Sequence, residues 1–185
     1  MAVLFSDLDH HELADAAGSR GMTRTRFVLR FLKNWFLEQL ASRCPVPSWR
    51  LRCHRWRGVR IGRNAYVGYD VIFDRVYPEM ITVDDYAVIG DRCIISAHGC
   101  GTLPLQRLYP RNVKPVKIGH GAWLSPACIV IMGVEIGELS VIGTGSVVTR
   151  SIPPKSVAVG VPARVIKTLD VENPCETAAG SGSEV

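Results

Sequence analysis

VEIGELSVIGTGSVVT, residues 134–149, sets Ile136, Ile142 and Val148 six apart, with Gly or Thr directly after each. An α-helix turns every 3.6 residues or so and a strand alternates every 2 or so, so neither repeats in sixes. The beat runs back through the chain: Ile61, Val67, Phe73; Val83, Ile89, Ile95; Ile118, Leu124, Val130. Two residues before each of these apolar anchors stands a second, mostly smaller column: Val59, Ala65, Val71, Ile81, Ala87, Cys93, Val116, Ala122, Cys128, Val134, Ser140 and Ser146. One bulky and one small inward column suit a chain that runs a short strand, turns a corner and repeats this three times per coil. The spacing therefore predicts a mainly β solenoid of about four stacked coils, in which each coil buries its neighbour's face. Gly, Asp or Ser after an anchor is read as the residue that tolerates the tight corner.

At 185 residues with 47% hydrophobic side chains, the chain can bury one continuous core. No run approaches the 18 or so apolar residues of a membrane span. The start, MAVLFSDLDHHELADAAGSR, has acids where a secretory signal has a basic beginning and an apolar centre, so a cytoplasmic address is expected. The six cysteines show no CxxC or zinc-finger spacing and are expected to be unbridged. The net charge of +5 is unevenly placed: residues 20–63 hold twelve of the 22 Lys and Arg against one acid, Glu38.

Residues 1–22 and 169–185 are polar, small-residue segments expected to remain disordered. Residues 23–58 form a helical N-terminal segment. Within it Phe27, Phe31, Trp35 and Leu40 fall near one helical face, widened by Leu32, Phe36 and Leu37, with Arg24, Arg30 and Lys33 toward the other. The prediction is one amphipathic helix that stops at the two prolines of CPVPS and packs its apolar face on the base of the prism. Residues 59–168 are the repeat domain, interrupted by four extra residues in DRVYPEM and by seventeen in an excursion loop, 96–117.

These features, and above all the run IGHGAWLSPACIVIMGVEIGELSVIGTGSVVTRSIPPKSVAVGVPARVIK, resemble the hexapeptide-repeat acyltransferases, in particular the sugar and polysaccharide O-acetyltransferases. The resemblance implies a left-handed parallel β-helix, although crossovers are generally right-handed. It also implies a homotrimer with active sites in the clefts between prisms, and acetyl-CoA as donor.

Acyl transfer from a thioester to a hydroxyl needs a base, and an imidazole is well matched to that task near neutral pH. His98 is the one histidine in the excursion loop, and the resembled enzymes keep their catalytic His at the start of such a loop. In the galactoside and maltose enzymes it is followed by Pro; here GCGT follows. Asp74 and Glu79, in the first interruption, are the candidates to hold the imidazole or to bind the substrate's sugar hydroxyls. The resemblance assigns cofactor-lining positions to Ser125, Thr144, Thr149 and Arg150, and nucleotide-phosphate contacts to Arg164 and Lys167. Because Pro126 lacks an N–H, the oxyanion donor is expected at Ser125 or elsewhere. His120 reads as a surface residue and Cys100 as a passive thiol.

The function expected is O-acetylation of a sugar or glycan intermediate, with His98 as general base. N-acetylation of an amino sugar is a second reading. A third is a non-catalytic scaffold whose basic helix, residues 23–40, docks on a membrane or partner. No HxxxxH pair supports a metal site, and nothing resembles a nucleic-acid module or a phosphate-cradling GxxxxGK[ST] loop.

Overall fold

A computed structural model describes residues 17–18 and 20–170. The ends read as disordered lie mostly outside these residues, as does Cys175. Helix α1 (Arg24–Arg43) and helix α2 (Pro47–Arg57) lead into the repeats. The first coil is β1 (Arg60–Ile61), β2 (Tyr66–Val67) and β3 (Ile72–Phe73); the second is β4 (Ile81–Val83), β5 (Val88–Ile89) and β6 (Ile94–Ile95). The long excursion leaves here through β7 (His98–Gly99) and returns through β8 (Asn112–Val113), an antiparallel pair. The third coil is β9 (Val116–Ile118), β10 (Trp123–Leu124) and β11 (Ile129–Val130), and the fourth is β12 (Glu135–Ile136), β13 (Val141–Ile142) and β14 (Val147–Val148). An antiparallel hairpin, β15 (Ser156–Gly160) and β16 (Ala163–Thr168), closes the stack.

Strands one coil apart pair in parallel, giving the three faces β1-β4-β9-β12, β2-β5-β10-β13 with the closing hairpin, and β3-β6-β11-β14. Both inward columns are buried, save that Ile61 in the first coil is half-buried. The corners differ from expectation. The left-handed backbone falls three residues after an anchor, at Asn64, Asp70, Tyr86, Arg92, Ala127 and Leu139 and at Gly121, Gly133 and Gly145. The residue directly after the anchor serves close approach instead: a Cβ on Gly90 would sit 2.7 Å from the Pro126 nitrogen and 2.9 Å from the Leu124 carbonyl oxygen of the next coil.

The helical segment also departs from expectation. Pro47 starts a second helix at its first turn, where a missing N–H costs nothing. The side of α1 that is buried carries Phe27, Asn34, Glu38 and Ala41, while Leu29, Leu32, Trp35, Phe36 and Leu40 are exposed. Polar partners cause this reversal. Glu38 pairs with Arg57 (3.2 Å) and Arg75 (3.0 Å), and Asn34 donates to the Arg75 carbonyl (3.3 Å). Arg20, inside the segment expected to fray, donates to the Val76 carbonyl (2.6 Å), pairs with Glu79 and lies over the Tyr77 ring.

Candidate active site

Asp74 is the first residue after β3 and Ser96 the first after β6, and their strands are neighbours in one sheet (Phe73 opposite Ile95). One corner column therefore brings the first interruption beside the start of the second. The Asp74 carboxylate is buried and accepts four hydrogen bonds. Oδ1 takes the backbone N–H groups of Val76 (2.9 Å) and Tyr77 (2.8 Å), while Oδ2 takes the Ala97 N–H (2.8 Å) and faces His98 Nδ1 at 2.5 Å. Burial pushes the Asp74 carboxyl upward, but the bond from His98, with those from Tyr77 and Ala97, outweighs it and holds the group below its ordinary value. Asp74 is thus an anion with its acceptor sites in use, and it is the holder of the imidazole.

His98 sits where β7 leaves the prism. Its carbonyl accepts from Ser96 Oγ (2.9 Å), its ring lies 5.3 Å from that of Tyr77, and a quarter of its side chain is exposed. An Asp on Nδ1 favours the tautomer with the proton there, which turns the Nε2 lone pair away from Asp74. Beside it the excursion loop and Met132 border an open concavity of about 780 Å³, lined among others by Gly99, Cys100, Leu105, Tyr109 and Asn112.

Glu79 does not reach this pair: it is held by Arg20 and by Arg30 (2.7 Å). The six cofactor positions spread over the far part of the prism. Thr149 and Arg150 follow β14, on the same corner column as Ser96 but two coils on, roughly 10 Å along the axis. Ser125 and Thr144 occupy the preceding corner, and Arg164 and Lys167 stand exposed on β16. No hydrogen bond joins any of the six to His98 among the described residues. The Ser125 N–H is spent on the Ile142 carbonyl (2.9 Å) within the ladder, so an oxyanion there would be met by the Ser125 hydroxyl or from elsewhere. His120 is exposed against Tyr86, and Cys100 is exposed at the wall of the concavity.

Tyr77 and Ser96 were not anticipated. The signal for Tyr77 was present in DRVY, where an Asp that caps the N–H groups two and three residues on folds the chain back over itself.

No family model matches the chain. It is 36% identical over 120 residues to the galactoside O-acetyltransferase of Escherichia coli K12, covering 60% of this chain and 55% of that protein. In three dimensions it is similar to a galactoside acetyltransferase in complex with coenzyme A, with a TM-score of 0.64, 26% identity, and 80% of this chain and 84% of that one covered. A hexapeptide-repeat acetyltransferase from Vibrio cholerae, complexed with acetyl coenzyme A, shares the fold with a TM-score of 0.65, 20% identity, and 77% and 88% covered.

The chain is similar to galactoside acetyltransferases in both sequence and fold.

It spans little more than half the length of the curated galactoside O-acetyltransferase from Escherichia coli. In the two solved acetyltransferase structures it covers more than four fifths of each chain.

Proposed function

We propose that this protein transfers the acetyl group of acetyl-CoA to a hydroxyl of a sugar or glycan intermediate. His98 Nε2 takes the hydroxyl proton as the oxygen attacks the thioester carbonyl. The tetrahedral intermediate then collapses, the C–S bond breaks, and the leaving thiolate takes the proton back from the imidazolium. Asp74 holds the ring in the reactive tautomer and stabilises its charged form. The observation that carries this reading is the 2.5 Å contact between His98 Nδ1 and a buried Asp74 carboxylate, beside an open concavity.

In the same reading the prism is left-handed, three copies assemble, and the cleft between them holds the coenzyme. Thr144, Thr149, Arg150, Arg164 and Lys167 lie along the coenzyme, Ser125 contributes its side chain, and a neighbouring subunit supplies the oxyanion donor. The enzyme works in the cytoplasm. Residues 23–40 add a docking role, with a bilayer or a protein as the occupant.

The test is release of the coenzyme thiol by the full chain against a panel of sugars, nucleotide sugars, lipid-linked glycans and amino sugars. His98→Ala should keep the oligomer mass and coenzyme binding while turnover falls about a hundredfold or more. Near-normal acetylation by this variant overturns the assignment, and preference for the amino sugars moves the reaction to nitrogen.

A further inference from the structure

Helix α1 turns outward what a core would ordinarily take in. Leu29, Leu32, Phe36 and Leu40 fall on the side opposite the buried stripe, with exposures of 63%, 52%, 61% and 46%. Trp35 borders them, and with Phe36, Leu40 and Arg43 it lines a concavity of about 590 Å³. Helix α2 packs against α1 and adds Trp49 and Trp56, both exposed and seven residues apart, hence on one side of it.

The charge around this surface has one sign. Arg26, Lys33 and Arg43 on α1 and Arg52 on α2 are exposed, whereas Arg55 turns to the Ile61 and Gly62 carbonyls of the first coil. The one acid between residues 20 and 63, Glu38, lies beneath α1 against Arg57 and Arg75. The outer surface of the two helices therefore presents apolar and aromatic side chains among cations, with no acid from either helix among them.

That pattern selects the occupant. A second copy docking by the same face would set these cations against their own counterparts, since a two-fold contact is self-complementary and the face has no carboxylate to answer them. An anionic bilayer answers both features at once. Leucine, phenylalanine and tryptophan enter the boundary between headgroups and acyl chains, and Arg and Lys stay with the lipid phosphates. No helix among the described residues is long and apolar enough to cross a membrane, which leaves a helix lying in the surface plane.

We infer that α1 and α2 dock this protein on an anionic lipid surface through Leu29, Leu32, Phe36, Leu40, Trp49 and Trp56. The inference stands on the helix surface alone, so it fails or holds independently of the acetyl-transfer chemistry.

The experiment is co-sedimentation of the full chain with vesicles of phosphatidylcholine, with and without phosphatidylglycerol, alongside tryptophan emission. The expected result is binding to the anionic vesicles only, weakened by salt, with a blue shift of emission. In Phe36→Ser/Leu40→Ser, and separately in Lys33→Glu/Arg43→Glu, binding should fall about tenfold or more at unchanged circular dichroism. These side chains are exposed, so both variants should fold. Absence of vesicle binding by the wild type overturns the inference, as does equal binding by all three proteins. A smaller oligomer in the Phe36→Ser/Leu40→Ser variant without any vesicle binding overturns it in favour of a contact between copies.

Discussion

Arg57 of α2 donates to the carbonyl oxygen of Phe73 at 3.0 Å, one residue before the aspartate that holds His98. The same guanidinium meets Glu38 of α1 at 3.2 Å and the Nδ1 of His54 at 3.2 Å. The two helices thus grip the corner on which the dyad is built. Both Arg57 and Glu38 are buried, so removing one leaves the other as an uncompensated charge, a loss of about 3–5 kcal/mol. Glu38→Ala should lower the urea midpoint accordingly, whereas Arg75→Ala, at the exposed rim of the same cluster, should cost about 1 kcal/mol. Equal losses in the two variants would show that the buried pair does not anchor the helices.

Asp74→Asn keeps the shape of the corner and one acceptor oxygen. Its amide nitrogen, placed at the Oδ2 position, would face the Ala97 N–H and the His98 Nδ1–H donor to donor. The ring must then carry its proton on Nε2, the wrong tautomer for a base. Turnover should drop about a hundred- to ten-thousand-fold with little change in KM for acetyl-CoA, and stability should fall by about 1–3 kcal/mol. Steady-state kinetics and chemical denaturation check both parts.

His54 is buried against Phe73 and between two arginines. Burial first, then the charges of Arg57 and Arg50, hold it neutral with a pKa of about 3. An unfolded histidine accepts a proton near pH 6.5. The unfolded state therefore binds the extra proton between those values, and stability present above about pH 6.5 is lost progressively as pH falls toward 3. Asp74, whose carboxyl is held low, adds a loss only below its ordinary value near 3.8. Thermal midpoints measured from pH 7 to 4 should fall steeply in the wild type. In His54→Asn, which keeps an acceptor for Arg57, the slope should flatten.

Gly90 and Gly145 separate lack of room from backbone strain. A methyl at Gly90 strikes the backbone of the next coil, whereas Gly145 has φ +70° and nothing within 4 Å. Gly90→Ala should cost about 1–3 kcal/mol through overpacking and Gly145→Ala about 1–2 kcal/mol through its left-handed backbone alone. Near-ultraviolet circular dichroism of Trp123, on the strand adjoining β5, should change in the first variant and not in the second.

The coils were legible because each inward position repeats a single requirement, apolar at the anchor and small two residues earlier, and solenoid packing asks nothing else of the sequence. The direction of α1 was not legible. Counting apolar residues cannot foresee that Asn34 and Glu38 meet Arg57, Arg75 and a carbonyl oxygen, and these polar partners decide which side turns inward. Pro47 was read as a stop because a proline inside a helix and one at its first turn look alike in sequence. At the site, His98 stood out by its place at the start of the long interruption. Asp74 could be named but not given one role, because that depends on the turn it makes with Val76 and Tyr77.

The excursion leaves and rejoins the prism through a neck only two residues wide, His98–Gly99 against Asn112–Val113. The pairing of β6 with β11 and of β4 with β9 holds the two flanking coils in register without it. Residues can be added beyond the neck for an entropic cost that grows only with the logarithm of loop length. The segment bordering His98 can therefore be lengthened, shortened or exchanged for another without retuning the scaffold, and under the proposed reaction it is the natural place to graft a new acceptor preference.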